Sequence, residues 1–260
     1  MEMARILTGQ TGRSHFEDIQ VPFIAGATRD APFIGASGIQ FRRSEGEQTN
    51  DWHPAPRRQL VVLLSGRMEI TAGDGTGKRL YPGDFFLADD LTGQGHITQS
   101  RGECTRAWIS MPEWTPQAGK LDLPQPPAVP AGQKMRKGAV TRLHTGPDNK
   151  THFQDVDGLF LVAGTNRDAP FIPAKGVQFL RSDGDRGFGD WHHAPQRQFV
   201  IVLSGELEVG IGDGSKRVFS VGDMLLAEDL TGQGHITASR GDRRMMFIPL
   251  GDGARVPGAP

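Results

Sequence analysis

Asp90-Leu91-Thr92-Gly93-Gln94-Gly95-His96-Ile97-Thr98 recurs without a change as Asp229-Leu230-Thr231-Gly232-Gln233-Gly234-His235-Ile236-Thr237. Two further matches lie upstream in the same order. Arg29-Asp30-Ala31-Pro32-Phe33-Ile34 returns as Arg167-Asp168-Ala169-Pro170-Phe171-Ile172, and Asp51-Trp52-His53 returns as Asp190-Trp191-His192. Co-linear identities at nearly constant spacing mark an internal duplication, and they divide the chain into two copies of one domain.

Within each copy the apolar runs are short and closely punctuated. Gln59-Leu60-Val61-Val62-Leu63-Leu64 stops at Ser65-Gly66, and Met68-Glu69-Ile70-Thr71 then alternates. Gly73-Asp74-Gly75 is a hairpin signal, and Phe85-Phe86-Leu87-Ala88 is an apolar run of the fully buried type. With 35 glycines and 18 prolines, and no convincing amphipathic helix, the pattern predicts an all-β sandwich or small barrel in each copy. Pro112, Pro116, Pro124, Pro126, Pro127 and Pro130 fall between the copies, where proline fixes φ and removes ladder donors. The expected layout is domain one at 1–114, a proline-rich linker at 115–137, domain two at 138–252 and a loose tail at 253–260.

Composition excludes several function classes. The net charge of -1 leaves no basic excess for phosphates, so nucleic acid is not an expected partner. No apolar run reaches about 18 residues, so no membrane partner is expected, and Met1–Gly9 does not read as a signal peptide. Cys104 is the only cysteine, which excludes an internal disulfide and a thiolate metal cage. A cytoplasmic location is expected. No Gly-rich phosphate loop, Ser-His-Asp order or Cys nucleophile is present.

At Gln59, Gly66, Gly83-Asp84 and His96, and again at Gln198, Gly205, Gly222-Asp223 and His235, each copy resembles the cupin family. Cupins are double-stranded β-helix (jelly-roll) barrels with two motifs. The first sets an H-x-H pair and a Glu ahead of a Gly, and the second runs from a Gly to a His. The combination W-H-x-A-P-x-R-Q with G-D-x-x-L-A-x-D-x-T-G-x-G-H is similar to that of small uncharacterised bacterial cupins. The resemblance implies two such barrels in tandem, related by a pseudo-twofold and packed as an internal pseudo-dimer, with further homo-oligomerisation left open.

The family's metal site of three His and one Glu carries over only in part. Gln59 and Gln198 stand in the Glu position, and the H-x-H pair is incomplete in either register. The implied candidate ligands are His53, Gln59 and His96 in copy one and His192, Gln198 and His235 in copy two. Asp51 and Asp190 are either additional ligands or exposed turn residues. The implied cofactor is one divalent metal per barrel (Fe, Mn, Ni or Zn), with no nucleotide cofactor. Arg58 and Arg197 are candidates for clamping an anionic substrate, against ion pairing at the surface. Trp52 and Trp191 either stack on substrate or pack. Thr98 and Ser100 share the face of His96 by the two-residue period, and that face either lines the cavity or is solvated.

Three functional readings follow. One is a metal-dependent enzyme acting on a small oxygenated organic molecule, with a dioxygenase-type oxidoreductase preferred. Another is a metal-assisted isomerase, lyase or decarboxylase. The third is a non-catalytic protein that holds a small ligand without metal. The repeated Arg29–Ile34 segment has no chemical role in any of them.

Overall fold

The computed structural model describes residues 2–21, 28–112, 114, 140–157, 159 and 166–259, and the expected linker at 115–137 lies outside them. All regular elements of the described residues are strands. The first repeat supplies β1 (Glu2–Thr8), β2 (Ser14–Gln20), β3 (Thr28–Asp30), β4 (Ile34–Gly35), β5 (Gly38–Ser44), β6 (Gln48–His53), β7 (Gln59–Ala72), β8 (Gly77–Leu80), β9 (Phe85–Asp89) and β10 (His96–Ser110). The second supplies β11 (Val140–Thr145), β12 (Thr151–Val156), β13 (Asn166–Asp168), β14 (Ile172–Pro173), β15 (Gly176–Ser182), β16 (Gln198–Ile211), β17 (Lys216–Phe219), β18 (Met224–Glu228) and β19 (His235–Pro249). The fold is a tandem of all-β barrels of jelly-roll type, as the strand pattern and the duplication predict.

The two compact units differ from contiguous halves of the chain in one respect. Unit 1 holds β1, β2, β4–β10 and β13, and unit 2 holds β3, β11, β12 and β14–β19. Their sheets run in equivalent order, β13-β5-β10-β7-β9-β1-β2 and β3-β15-β19-β16-β18-β11-β12. Each repeat's Arg-Asp-Ala-Pro-Phe-Ile segment thus begins with a strand that belongs to the other unit. In unit 1, Arg42 meets Asp168 through two hydrogen bonds, one of 2.7 Å from Nη2 to Oδ2. The segment is structural: it pairs the edge of β5 or β15, an edge that would otherwise be open to association.

The long antiparallel pair of β7 and β10 explains the barrel. Leu60–Leu64 are buried throughout, whereas from Met68 only alternate residues are buried. The change comes at Gly66, whose φ is +87° and where the register with β10 shifts between Arg101 and Thr105. A side chain at Gly66 would press on the backbone of Glu103 and Cys104. Beyond the shift, Met68, Ile70 and Ala72 pack with Val61, Leu63, Leu80, Phe86 and Cys104 as the interior of unit 1. Val200, Val202, Leu207, Val209, Phe219, Leu225 and Met245 form the counterpart in unit 2.

The tail expected to be loose is anchored in its described part. Ala254 and Val256 are buried, and the Ala254 carbonyl accepts a 2.8 Å hydrogen bond from Arg197 Nη1. Among the described residues, no helix is long and apolar enough to cross a membrane.

Candidate functional site

His53 ends β6 and His96 opens β10, and the two are cross-strand partners, so their rings share one side of the sheet. The ring centroids lie 4.6 Å apart, tilted by 52°. Unit 2 repeats the pair, with His192 and His235 at 4.4 Å and 57°. The loop Thr92-Gly93-Gln94-Gly95 makes this approach feasible. Gly95 has φ +74°, and a Cβ there would collide with the backbone of His53 and Pro54. Only glycine allows the loop to lie this close to the chain carrying the first histidine.

Asp90 supplies what the motif reading missed. It is fully buried, and its Oδ2 accepts a 2.7 Å hydrogen bond from His96 Nδ1. In unit 2 Asp229, equally buried, accepts from His235 Nδ1 at 2.6 Å and also from Thr151 Oγ1 at 3.2 Å. The Asp90 carbonyl accepts from Ala55 N–H, two residues beyond His53. The repeated Asp-Leu-Thr-Gly-Gln-Gly-His run already held this signal, because it preserves the Asp along with the His.

The other histidine of each pair is tied by backbone. His53 Nδ1 meets the Asp51 carbonyl at 2.6 Å, and His192 Nδ1 meets the Asp190 carbonyl at 2.9 Å. A carboxylate or carbonyl oxygen only accepts, so all four Nδ1 atoms are the donors. A neutral ring so held carries its lone pair on Nε2. Among the described residues none of the four Nε2 atoms has a hydrogen-bond partner. His193, which has no counterpart in copy one, instead donates from Nε2 to the Gly232 carbonyl.

The remaining candidates are distributed as follows. Gln59 and Gln198 are buried and open β7 and β16. Gln59 pairs with Ser110 and Ala88, while His96 pairs with Ala72 at the far end of β7. By the two-residue period Gln59 shares a face of β7 with Val61 and Leu63, which pack in the interior of unit 1. Asp51 and Asp190 are exposed, and the Asp51 carboxylate accepts from Trp52 N–H. Trp52 and Trp191 are exposed next to the histidines.

Arg58 donates from Nε to Asp89 at 2.7 Å and from Nη1 to the Trp114 carbonyl at 2.8 Å. Arg5 holds the same Asp89. Arg197 is committed in the same way to Glu228. It also lines a surface hollow of about 630 Å³ with Arg142, Leu230 and Arg255, and neither His192 nor His235 takes part in that lining. Thr98 and Ser100 are buried, so the face they share with His96 is interior.

No protein-family model matches the sequence, and no curated protein matches it. Solved structures do resemble it. A cupin 2 conserved barrel domain protein from Leptotrichia buccalis aligns over 89% of this chain and 90% of its own, at 15% identity and a TM-score of 0.37. A putative glyoxylate induced protein from Pseudomonas aeruginosa aligns over 93% and 85%, at 11% identity and a TM-score of 0.35. Oxalate decarboxylase of Lactobacillus farciminis, solved as a formate complex, aligns over 88% and 83%, at 12% identity and a TM-score of 0.31. The site is therefore read from this chain's own geometry.

That geometry fits a resident divalent metal incompletely. Imidazoles whose second nitrogen is fixed by a carboxylate or carbonyl are the usual form of His ligands. Catalytic metal sites, however, take about three protein ligands. Among the described residues no group of three or more His, Cys, Asp or Glu is placed to hold an ion. The constellation in each unit comprises two imidazoles and a carboxylate spent on orienting one of them.

Proposed function

We propose that the chain binds a small polar organic molecule at two equivalent sites, one per unit, through the Nε2 atoms of His53 with His96 and of His192 with His235. One observation carries this reading: both Nδ1 atoms of each pair are consumed by fixed acceptors, so the lone pairs left over belong to the side facing away from those acceptors. Asp90 and Asp229 are positioning residues. Each fixes the ring's orientation and tautomer, and each stabilises positive charge if Nε2 takes a proton from the bound molecule. Burial of both Asp carboxylates strengthens that coupling, because little water screens it.

The metal-dependent reading keeps one supporting observation, the tethered Nδ1 atoms, and finds no third His, Cys, Asp or Glu beside them among the described residues. The two readings separate on protein purified without a His tag. Native mass spectrometry and elemental analysis are run on it and on the double variant His96→Ala/His235→Ala. The proposal expects a co-purified organic mass, or a mass taken up from a panel of small organic acids and sugars, that the double variant lacks. Stoichiometric Fe, Mn, Ni or Zn lost in the double variant would replace the proposal with the metal enzyme. An organic mass retained by the double variant would refute both.

A further inference from the structure

The interior of each unit holds one arginine that the His-Asp site does not use. Arg106 is 4% exposed and Arg243 is 8% exposed. Among the described residues neither has a carboxylate within the 4.0 Å of an ion pair. Arg106 donates from Nη2 to Ser44 Oγ at 3.1 Å and from Nη1 to Met68 Sδ at 3.3 Å, and its Nε has no partner. Arg243 donates from Nη1 to the Ala238 carbonyl at 3.3 Å, and its Nε is likewise unpartnered. Burial holds both guanidinium groups below their ordinary pKa, Arg243 at about 10.

The surroundings are equivalent in the two units. Arg243 is the cross-strand partner of Ser182, as Cys104 is of Ser44. Ser100 faces Met68 and Ser239 faces Leu207, both core residues of the barrel interior. The Oγ atoms of Ser100, Ser182 and Ser239 are buried without partners. Each arginine therefore sits on the interior face with orphaned hydroxyls.

The two arginines are not copies of one another. Ser100-Arg101-Gly102 aligns with Ser239-Arg240-Gly241, so Arg106 answers to Met245 and Cys104 to Arg243. The guanidinium has moved by two residues, which on a strand keeps it on the same face. Duplication alone would leave an idle residue where it was. A buried cation at two non-equivalent positions indicates that both interiors use the charge.

Its local compensation is small. Arg106 lies 5.7 Å from the Trp108 ring centroid, a weak contact that offsets only part of the cost of an unpaired buried ion. An anion on the guanidinium would close that gap.

We infer that each barrel receives a small monocarboxylate, held by the guanidinium of Arg106 in unit 1 and of Arg243 in unit 2. The planar fork matches a carboxylate, one cation balances one negative charge, and the apolar core around it suits a short organic tail. The guanidinium site goes beyond the imidazole pairs of the proposed function and is a second group in each unit.

The test is isothermal titration and thermal denaturation with sodium butyrate at constant ionic strength, against sodium chloride. Wild type is expected to give a saturable rise in Tm and two sites per chain. Arg106→Met, which installs the second repeat's own residue, leaves one site, and Arg106→Met with Arg243→Cys leaves none. Cys104→Arg with Arg106→Met moves the charge to the position used in the second repeat, and it restores the second site. Circular dichroism confirms that the variants fold.

A butyrate response that survives in Arg106→Met/Arg243→Cys, or that sodium chloride reproduces, overturns the inference. His96→Ala/His235→Ala separates the two claims. Butyrate binding retained there and lost in the arginine variants upholds the guanidinium site independently of the imidazole pairs.

Discussion

Gly234→Ala tests directly how the repeated Thr-Gly-x-Gly-His loop builds the site. Gly234 has φ +73°, and a Cβ there would lie 2.6 Å from the His192 carbonyl carbon and 3.0 Å from the His193 nitrogen. Carbon contacts are comfortable near 3.5–4.0 Å, so the facing backbone must retreat by about 1 Å. That retreat breaks the bridge in which His192 N–H and His235 N–H each donate to the other's carbonyl at 2.9 Å. Two such bonds are worth about 1–3 kcal/mol, and left-handed alanine adds about 1–2.

Gly214→Ala is the control, because Gly214 has φ +88° but nothing within 4 Å of its Cβ position. It carries the backbone strain alone, partly offset by about 0.4–1 kcal/mol of lost unfolded-state freedom. The strain and its offset are common to both, so Gly234→Ala should cost about 1–3 kcal/mol more than Gly214→Ala in urea denaturation at unchanged m, the value of the two lost bonds. At about 4 °C per kcal/mol the difference is about 4–12 °C in Tm. Equal costs for the two substitutions would refute the close approach that joins the histidines.

Three further outcomes follow. Asp168→Ala, though in the second repeat, should destabilise unit 1 by about 0.5–1 kcal/mol, because the partly exposed pair with Arg42 is weakened by solvent; fragments protected in hydrogen exchange report which unit loosens, and loosening confined to unit 2 would contradict the strand exchange. Burial raises the Asp84 carboxyl above its ordinary 3.8 despite the 2.8 Å bond from Tyr81 N–H, so the folded state holds the proton more tightly than the unfolded state. That group lowers stability as pH rises from 3.8 through its raised folded value, and Asp84→Asn, which keeps an acceptor, should gain on wild type over that window and hold the gain at pH 7; a gain that shrinks as pH rises through the window would be the wrong sign. Burial also pushes the Cys104 thiol up, so a thiol reagent at pH 8 should react with it only on unfolding, and prompt reaction with folded protein would show the interior of unit 1 to be open.

Much of this fold was legible because duplication and turn chemistry are local. Gly73-Asp74-Gly75 closes the hairpin between β7 and β8, with Asp74 Oδ1 accepting from Thr76 N–H, as its residues predict. The burial of Phe86–Ala88 likewise follows from composition. The exchange of β3 and β13 did not, since the pairing partner of a three-residue strand depends on the path of the chain far from it. In the site, the histidines were found from motif position, while Asp90 escaped notice because the family pattern assigns no acid there. Arg106 and Arg243 were invisible to a search for repeats because they occupy unlike positions. Arg58 and Arg197 were legible as charges near the mouth, but their partners Asp89 and Glu228 lie on strands 31 residues away in sequence.

The central claim is that a fixed acceptor on every Nδ1 leaves Nε2 of both histidines in each unit open to a bound molecule. Long-range proton–nitrogen correlation on protein labelled with 15N-histidine, at a pH where the rings are neutral, observes this directly. The account predicts that His53, His96, His192 and His235 all carry the proton on Nδ1, and that Asp90→Ala releases His96 alone from that tautomer. Rings protonated on Nε2, or a His96 spectrum unchanged by Asp90→Ala, would contradict it.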